Sequence, residues 1–270
     1  MSAHRIFASS FVLGLLAACS GSGVADFGVS GSVGGGPAEF ADSAADTFEA
    51  KSGSGGVTGN MYFYAPDGNS ATKNNATLSF SPDYTTAELT VGGRTYTFTR
   101  LPSTIYTDGD GGTLWTVSSA GTYSDVVGYS DAEMFGLGIL GAETRPENLP
   151  DTEWRYDGLY SLATTDPASP QFRSGNTTFF VDFSTGNIVG EFTNSGSPTG
   201  TVTGSVVGND IDATVDFAQL GISGTLDMEG TFYGPGAEEA AGILTGVLTT
   251  STGAETMLGT FQAFYYEEPP

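Results

Sequence analysis

The chain of 270 residues contains one cysteine, Cys19, and one histidine, His4. Because both lie within the first 19 residues, residues 20–270 offer neither a thiol nor an imidazole. This excludes from that part a Ser-His-Asp or Cys-His catalytic triad and a zinc site built from histidine or cysteine. It also excludes disulfides, so the folded part must be held together by its core and its hydrogen-bonded sheets.

Basic residues are scarce as well. Eight Lys and Arg stand against 31 Asp and Glu, which gives a net charge of -23. A surface of this sign repels nucleic acids and anionic headgroups, so nucleic acid is not an expected partner; it favours solubility or a cationic partner. Glycine is abundant, with 40 residues, and 12% of the chain is aromatic. This composition favours many short strands joined by tight turns, and therefore an all-β fold.

The first residues have the pattern of a secretory signal. A short basic start, His4 and Arg5, precedes an apolar run over 11–18 that is too short to span a bilayer as a helix. The run ends in Leu-Ala-Ala-Cys, which resembles the bacterial lipoprotein box. This resemblance implies removal of residues 1–18, lipidation of Cys19 and, with Ser20 following, transport to the outer membrane. Several acyl chains on Cys19 would anchor the chain durably.

Three segments are expected after the signal. Residues 19–56 are dominated by Gly, Ser, Ala and Asp, which is typical of a flexible tether. Residues 57–149 contain strand-like runs separated by Pro-Asp-Gly, Ser-Pro-Asp and Gly-Gly turns, and Gly92-Gly93 predicts a primed hairpin turn. The run 131–143 is compatible with a strand or a loop. Residues 150–268 have the most regular pattern.

Eight strands are predicted in this last segment, near 156–163, 177–183, 187–193, 200–207, 211–217, 222–231, 241–250 and 256–265. The clearest is 222–232, where apolar residues and glycines alternate with polar residues, which predicts one buried and one solvated face. Glycines on the buried face suit a strongly curved sheet. Eight such antiparallel strands can close into a barrel whose interior is filled by side chains.

The segment "FYGPGAEEAAG" (232–242) resembles the Phe-x-Gly-Pro-x-Ala-x-Glu-x-Gly-Gly signature of the β-barrel domains of transferrin-binding protein B and its relatives. "LPDTEWRYDGLYSL" (149–162) is similar to the segment that opens this barrel, and "FFVDFSTGNIVGEF" (179–192) to its early hairpin. Ala241 departs from the signature, where glycine is usual. The residues that match it are Phe232, Gly234, Pro235, Ala237, Glu239 and Gly242.

The resemblance implies an eight-stranded barrel at 150–268 preceded by a β-rich, handle-like domain at 57–149. It implies a monomeric, non-enzymatic lipoprotein on the outer-membrane surface, which binds a carrier protein or haem in iron or haem acquisition and has no cofactor of its own. The binding residues are not identified, since a shared barrel does not transfer a partner. Two alternatives stay open: a structural envelope protein without a soluble ligand, and a hydrolase with two convergent carboxylates.

Two acidic motifs are candidates for a catalytic or metal site. Glu238 and Glu239 are adjacent, so their side chains diverge on a strand or a helix and cannot form a dyad. Glu239 is instead expected to accept hydrogen bonds from amides of the Gly234-Pro235 turn. Asp108 and Asp110 resemble half of a calcium loop, but the closing position falls at Ser119, so a plain acidic turn and no metal are expected.

Without histidine, haem would need a tyrosine or methionine as its axial ligand. The tyrosines considered for this role lie in the first β-rich region, where packing in the core is the competing interpretation: Tyr62, Tyr64, Tyr106, Tyr123 and Tyr129. Three others, Tyr233, Tyr265 and Tyr266, are expected at the rim and seam of the C-terminal barrel.

Overall fold

A computed structural model describes residues 57–64, 71–83, 85–101, 105–117, 121–131, 135–164, 172–219 and 221–267. The predicted signal, the predicted lipidation site Cys19 and the predicted tether 19–56 lie outside the described residues. Spatial contacts divide the chain into two compact units, with the division between Ala142 and Glu143. The all-β class and the C-terminal eight-stranded antiparallel barrel are confirmed.

The first unit is itself a closed barrel of eight antiparallel strands, in which each strand pairs with the next and β1 pairs with β8. The sequence predicted a β-rich, handle-like domain here, whereas the structure has a closed barrel. The run 131–143, which was compatible with a strand or a loop, contains a strand. The strands are β1 Val57–Tyr64, β2 Ala71–Phe80, β3 Thr86–Val91, β4 Arg94–Arg100, β5 Ile105–Thr107, β6 Thr113–Val117, β7 Ser124–Ser130 and β8 Phe135–Gly141.

The hairpin between β3 and β4 forms as predicted. Val91 pairs with Arg94, and the two residues between them, Gly92 and Gly93, have φ values of 55° and 77°. Both values fall in the left-handed region that a primed hairpin turn requires and that glycine adopts without steric cost. The interior of this barrel is filled by side chains that alternate along the strands, including Met61, Leu78, Leu89, Phe98, Leu114 and Tyr129.

The second unit contains a short 3-10 turn, Pro146–Asn148, and a second closed antiparallel barrel with the same next-neighbour pairing, closed by β9 and β16. All eight strands lie where the alternation predicts them, within a few residues at each end. They are β9 Glu153–Thr164, β10 Phe172–Asp182, β11 Asn187–Asn194, β12 Ser197–Val207, β13 Asp210–Gln219, β14 Ile222–Tyr233, β15 Glu239–Thr250 and β16 Gly253–Tyr265.

Strand β14 shows the predicted two faces. Leu226, Met228 and Phe232 are buried in the barrel core, whereas Thr225 and Asp227 are exposed. The same alternation around the barrel fills its interior with aromatic and aliphatic side chains, the largest being Tyr156, Phe179, Phe192, Phe232 and Phe261. The interior is a packed core, as expected for eight strands.

Glycines on the inner face allow large rings to pack directly against the sheet. Gly230 and Gly242 lie opposite each other on β14 and β15. A Cβ atom on Gly230 would lie 2.7 Å from Cζ of Phe261, and one on Gly242 would lie 2.6 Å from its Cε1. The missing side chains therefore make the space that the Phe261 ring occupies.

Candidate functional site

The signature segment is a turn between β14 and β15 that is held from two sides. The hydroxyl of Tyr156, on β9, donates a 2.7 Å hydrogen bond to the backbone oxygen of Ala237. The hydroxyl of Thr144 donates one of 2.7 Å to the backbone oxygen of Gly234. Ala237 is fully buried and has a φ of 69°, a left-handed conformation that is uncommon outside glycine. The matched signature residues thus fix a turn.

The two glutamates of this turn lie in different surroundings. Glu238 accepts a hydrogen bond of 2.9 Å from the backbone N–H of Gly236. Glu239 begins β15, pairs with Tyr233 and is only 3% exposed. The hydrogen bonds expected from the turn amides to Glu239 stay a prediction.

The remaining signature residues belong to the barrel wall and core. Phe232 is fully buried, with its ring centroid 5.6 Å from that of Tyr156. Gly242 faces Phe261, as described above, and Pro235 is the exposed tip of the turn. Ala241, where the family has glycine, is also fully buried, so a methyl group is accommodated there. These positions explain the sequence signature by packing and turn geometry.

The acidic loop of the first barrel is a turn organised by Asp108. Its Oδ1 accepts hydrogen bonds from the backbone N–H groups of Asp110 (2.9 Å) and Gly112 (2.8 Å). Within the described part of the chain, no group of three or more Asp, Glu, His or Cys side chains could hold a metal ion. The Asp108 carboxylate therefore acts as a hydrogen-bond acceptor for the loop.

Two of the tyrosines considered as haem ligands, Tyr106 and Tyr129, belong to the core of the first barrel, whereas Tyr62 is buried outside that core cluster. Tyr62, Tyr106 and Tyr129 are buried, and the Tyr129 hydroxyl donates a 2.7 Å hydrogen bond to Asp131. Burial, and secondarily this contact with Asp131, raises the pKa of Tyr129, which disfavours the tyrosinate that would bind iron. Tyr123 is half-buried, and the side chain of Tyr64 lies outside the described residues.

The C-terminal tyrosines border the seam between β9 and β16. The ring of Tyr265 lies against Trp154, with centroids 4.0 Å apart. The guanidinium of Arg155 stacks on Tyr266, 4.6 Å from its centroid, and the backbone N–H of Tyr266 donates to the oxygen of Arg155. Tyr233, in contrast, is buried at the end of β14.

An exposed row of large side chains crosses the outer wall of the second barrel. Val189 pairs with Phe180, and Phe180 pairs with Arg155. The guanidinium of Arg155 stacks on the ring of Tyr266. Val189 is 55% exposed, Phe180 37% and Tyr266 40%. We call these four residues the exposed row. Exposed aromatic and apolar side chains that lie together, with an arginine, are typical of protein-binding surfaces.

Sequence reasoning missed the exposed row, although a signal for it exists. In both β10 and β11 an apolar residue of the outer face follows a buried one: Phe180 follows Phe179, and Val189 follows Ile188. Each interrupts the alternation of a strand with one solvated face. Phe180 and Val189 lie side by side because of the register between β10 and β11. The pattern of a single strand does not contain this register.

The charge around the exposed row is strongly negative. Residues 143–270 contain 18 acidic residues and only three basic ones, Arg145, Arg155 and Arg173. Arg155 is paired with Asp157, with 2.9 Å between Nη2 and Oδ2. A partner for this unit would therefore best present a cationic surface around an apolar centre.

In the described residues, no helix is long and apolar enough to cross a membrane. No curated protein sequence matches the chain. Residues 149–264 match the family model described as C-lobe and N-lobe beta barrels of Tf-binding protein B.

Solved structures similar to the chain include transferrin binding protein B from two bacteria. Transferrin binding protein B from serogroup B Neisseria meningitidis superposes with a TM-score of 0.53 and 18% identity over 78% of this chain and 44% of that one. A double mutant of transferrin binding protein B from Haemophilus parasuis Hp5 gives 0.52 and 15% over 79% and 46%. The chain thus spans somewhat less than half the length of these proteins. Residues 149–264 are therefore similar to the β-barrel domains of the transferrin-binding protein B family, and the solved structures share their fold.

Proposed function

We propose that this protein is a lipid-anchored, non-enzymatic protein of the outer-membrane surface that captures a carrier protein for iron acquisition. The observation that carries the proposal is the match of residues 149–264 to the barrels of Tf-binding protein B. The anchor would be the lipidated Cys19, with residues 19–56 as the tether that separates the folded units from the membrane.

The packing of both units supports a macromolecular partner. In each barrel the interior is occupied by the chain's own aromatic and aliphatic side chains. A partner is therefore best bound on outer walls and loops, where the exposed row offers apolar contacts and the acidic surroundings offer long-range attraction to a cationic protein. Haem is not part of this proposal, because the described tyrosines considered as its ligands are packed or half-buried.

Binding is tested with the purified chain and iron-loaded transferrin, alongside other host carrier proteins. We expect saturable binding to one carrier that weakens with rising salt, because the attraction is electrostatic. Replacing Phe180 and Val189 by serine should weaken it. Val247→Ser is the matched control, since Val247 is 51% exposed on β15, outside the exposed row. No saturable binding across the panel would contradict the proposal.

Anchoring and exposure are tested separately in cells. Cys19→Ala should release the protein from the membrane fraction, and protease added to intact cells should degrade the wild-type protein. Continued tight membrane association of the variant would contradict the lipid anchor. Protection from protease, absent carrier binding and an envelope defect on deletion would together favour the structural alternative.

A further inference from the structure

In the closed first barrel, the ladder between β4 and its neighbour β5 is short. Strand β4 has seven residues, but β5 has only three, and their ladder consists of two pairs, Thr99 with Thr107 and Arg100 with Tyr106. On this side, the five residues from Arg94 to Phe98 have no ladder partner among the described residues. We call this stretch the open edge.

The direction of the backbone groups follows from the hairpin. Arg100 donates its N–H to Thr85, on the β3 side, so the even-numbered residues of β4 direct their backbone groups towards β3. Thr95 and Thr97 therefore direct their N–H and C=O groups towards the open edge. Both residues are exposed, with Thr97 on the outer face of the barrel beside the buried Phe98.

The loop that follows β5 does not cover this edge with its own amides. The N–H of Asp108 donates to the oxygen of Gly112, and the N–H groups of Asp110 and Gly112 donate to the Asp108 carboxylate. The N–H of Gly109 donates to the hydroxyl of Thr107. These four amides are thus used within the loop, and none pairs with Thr95 or Thr97.

The charges beside the open edge are mainly negative. The ring of Tyr96, between the two threonines, lies 5.4 Å from that of Tyr129, whose hydroxyl binds Asp131. Burial and, after it, the negative charges of Asp131 and Asp108 raise the pKa of Tyr129. Glu88, which is exposed and pairs with Thr97, adds a further negative charge, and the opposing charges are Arg94 at the hairpin tip and Arg100 at the other end of β4.

We propose that the open edge of β4 binds an extended, lysine- or arginine-containing segment of a partner protein by β-strand addition. Thr95 and Thr97 would supply the main-chain hydrogen bonds, and the carboxylates of Asp108 and Asp131 would attract the basic side chains. This deepens the proposed function, on which it rests for the existence of a protein partner.

Two other occupants are disfavoured by charge. The segment 20–56 contains five acidic residues and one lysine, so it would be repelled by the same carboxylates. A second copy of the chain would bring a second net charge of -23. A cationic strand is the occupant whose charge and backbone both match the open edge.

The test uses the purified full chain and synthetic peptides of about eight residues, long enough to pair with the open edge as a strand. An alternating Thr-Lys peptide should bind and should slow hydrogen exchange at the amides of Thr95 and Thr97. The alternating Thr-Glu peptide should not. Thr97→Pro removes an outward N–H and should weaken binding about tenfold, whereas Thr97→Ala keeps that donor and should bind normally.

Three outcomes would overturn the inference. Unchanged exchange at Thr95 and Thr97 with the Thr-Lys peptide would show that the edge does not accept a strand, even if Thr97→Pro proved too unstable to measure. Equal binding of the Thr-Glu peptide would refute a cationic occupant. Self-association of the chain that is lost in Thr97→Pro would identify a second copy as the occupant. Because no carrier protein is used, these results are independent of the carrier-binding test above.

Discussion

The hydroxyl of Tyr156 donates a 2.7 Å hydrogen bond to the backbone oxygen of Ala237, 81 residues further along the chain. This contact joins the first strand of the second barrel to the turn that carries the family signature. Both residues are fully buried, so no water can replace either partner. The signature turn and the opening strand are therefore expected to depend on each other for stability.

Tyr156→Phe removes this bond and leaves the Ala237 carbonyl buried without its donor. We expect a loss of about 1–3 kcal/mol in the free energy of unfolding, measured by denaturant titration. Tyr265→Phe is the matched control, because Tyr265 is 37% exposed, and it should change stability by less than about 0.5 kcal/mol. Equal effects of the two variants would contradict the role of the bond.

Ala237→Val tests the backbone of the turn. A β-branched residue is strongly disfavoured at a φ of 69°, and the two further methyl groups would have to be accommodated at a fully buried position. We expect a loss of about 2–4 kcal/mol in the free energy of unfolding. Ala254→Val, on the exposed side of β16, should be neutral or slightly stabilising because valine favours strands. Tolerance of valine at 237 would refute the requirement for a small residue.

Gly242→Ala tests the space that the Phe261 ring occupies. The new Cβ atom would lie 2.1 Å from the backbone oxygen of Glu229 as well as against the ring, so neighbouring backbone must move. We expect a lower midpoint of thermal unfolding, equivalent to about 1–3 kcal/mol. The control is Gly236→Ala, where the nearest atom outside the adjacent residues would be 3.5 Å away, and its midpoint should be nearly unchanged.

The turn after β10 gives a prediction on pH. The carboxylate of Asp182 accepts hydrogen bonds from the hydroxyls of Ser184 (2.6 Å) and Thr185 (2.7 Å) and from the N–H of Ser184. The side-chain hydrogen bonds from Ser184 and Thr185 lower the pKa of Asp182 below its ordinary value of 3.8. Because the folded-state pKa is the lower one, the stability it contributes is complete above about pH 4 and is lost as the pH falls through the folded-state pKa.

This shift is measured by NMR titration of the Asp182 carboxyl carbon. Ser184→Ala should raise the pKa of Asp182 towards 3.8, because the hydrogen bond from the Ser184 hydroxyl is removed. Ser223→Ala, an exposed serine on β14, should leave it unchanged. An Asp182 pKa that does not respond to Ser184→Ala would contradict the assignment.

Local sequence patterns predicted the second barrel better than the first. In β14, in the second barrel, the alternation of Leu226 and Met228 with exposed residues is strict. In the first barrel, the Gly92-Gly93 turn was predictable because glycine suits both left-handed positions. In the first unit, β5 is only three residues long and β7 is buried along its whole length, so neither has a clear alternation. Closure of that unit also depends on pairs such as Met61 with Gly138, which no local pattern contains.

The signature turn shows a second limit of sequence reasoning. The pattern excluded a carboxylate dyad, but it did not predict that Glu238 accepts a hydrogen bond from the N–H of Gly236. It also did not predict that Ala237, a residue other than glycine, has a left-handed φ of 69°. The exposed row was missed for a related reason, since it exists only when three strands are placed in register.

The next-neighbour order of the strands has a consequence for how the chain folds. In each barrel every pairing except the closing one joins consecutive strands, so the sheet can form hairpin by hairpin as the chain becomes available. Only the ladders of β1 with β8 and of β9 with β16 must close a loop of a whole unit, and they bear its entropic cost. Before closure, the two end strands of each sheet present unpaired edges. A chain of this kind is therefore most exposed to aggregation in the interval between the formation of its last hairpin and that of its final ladder.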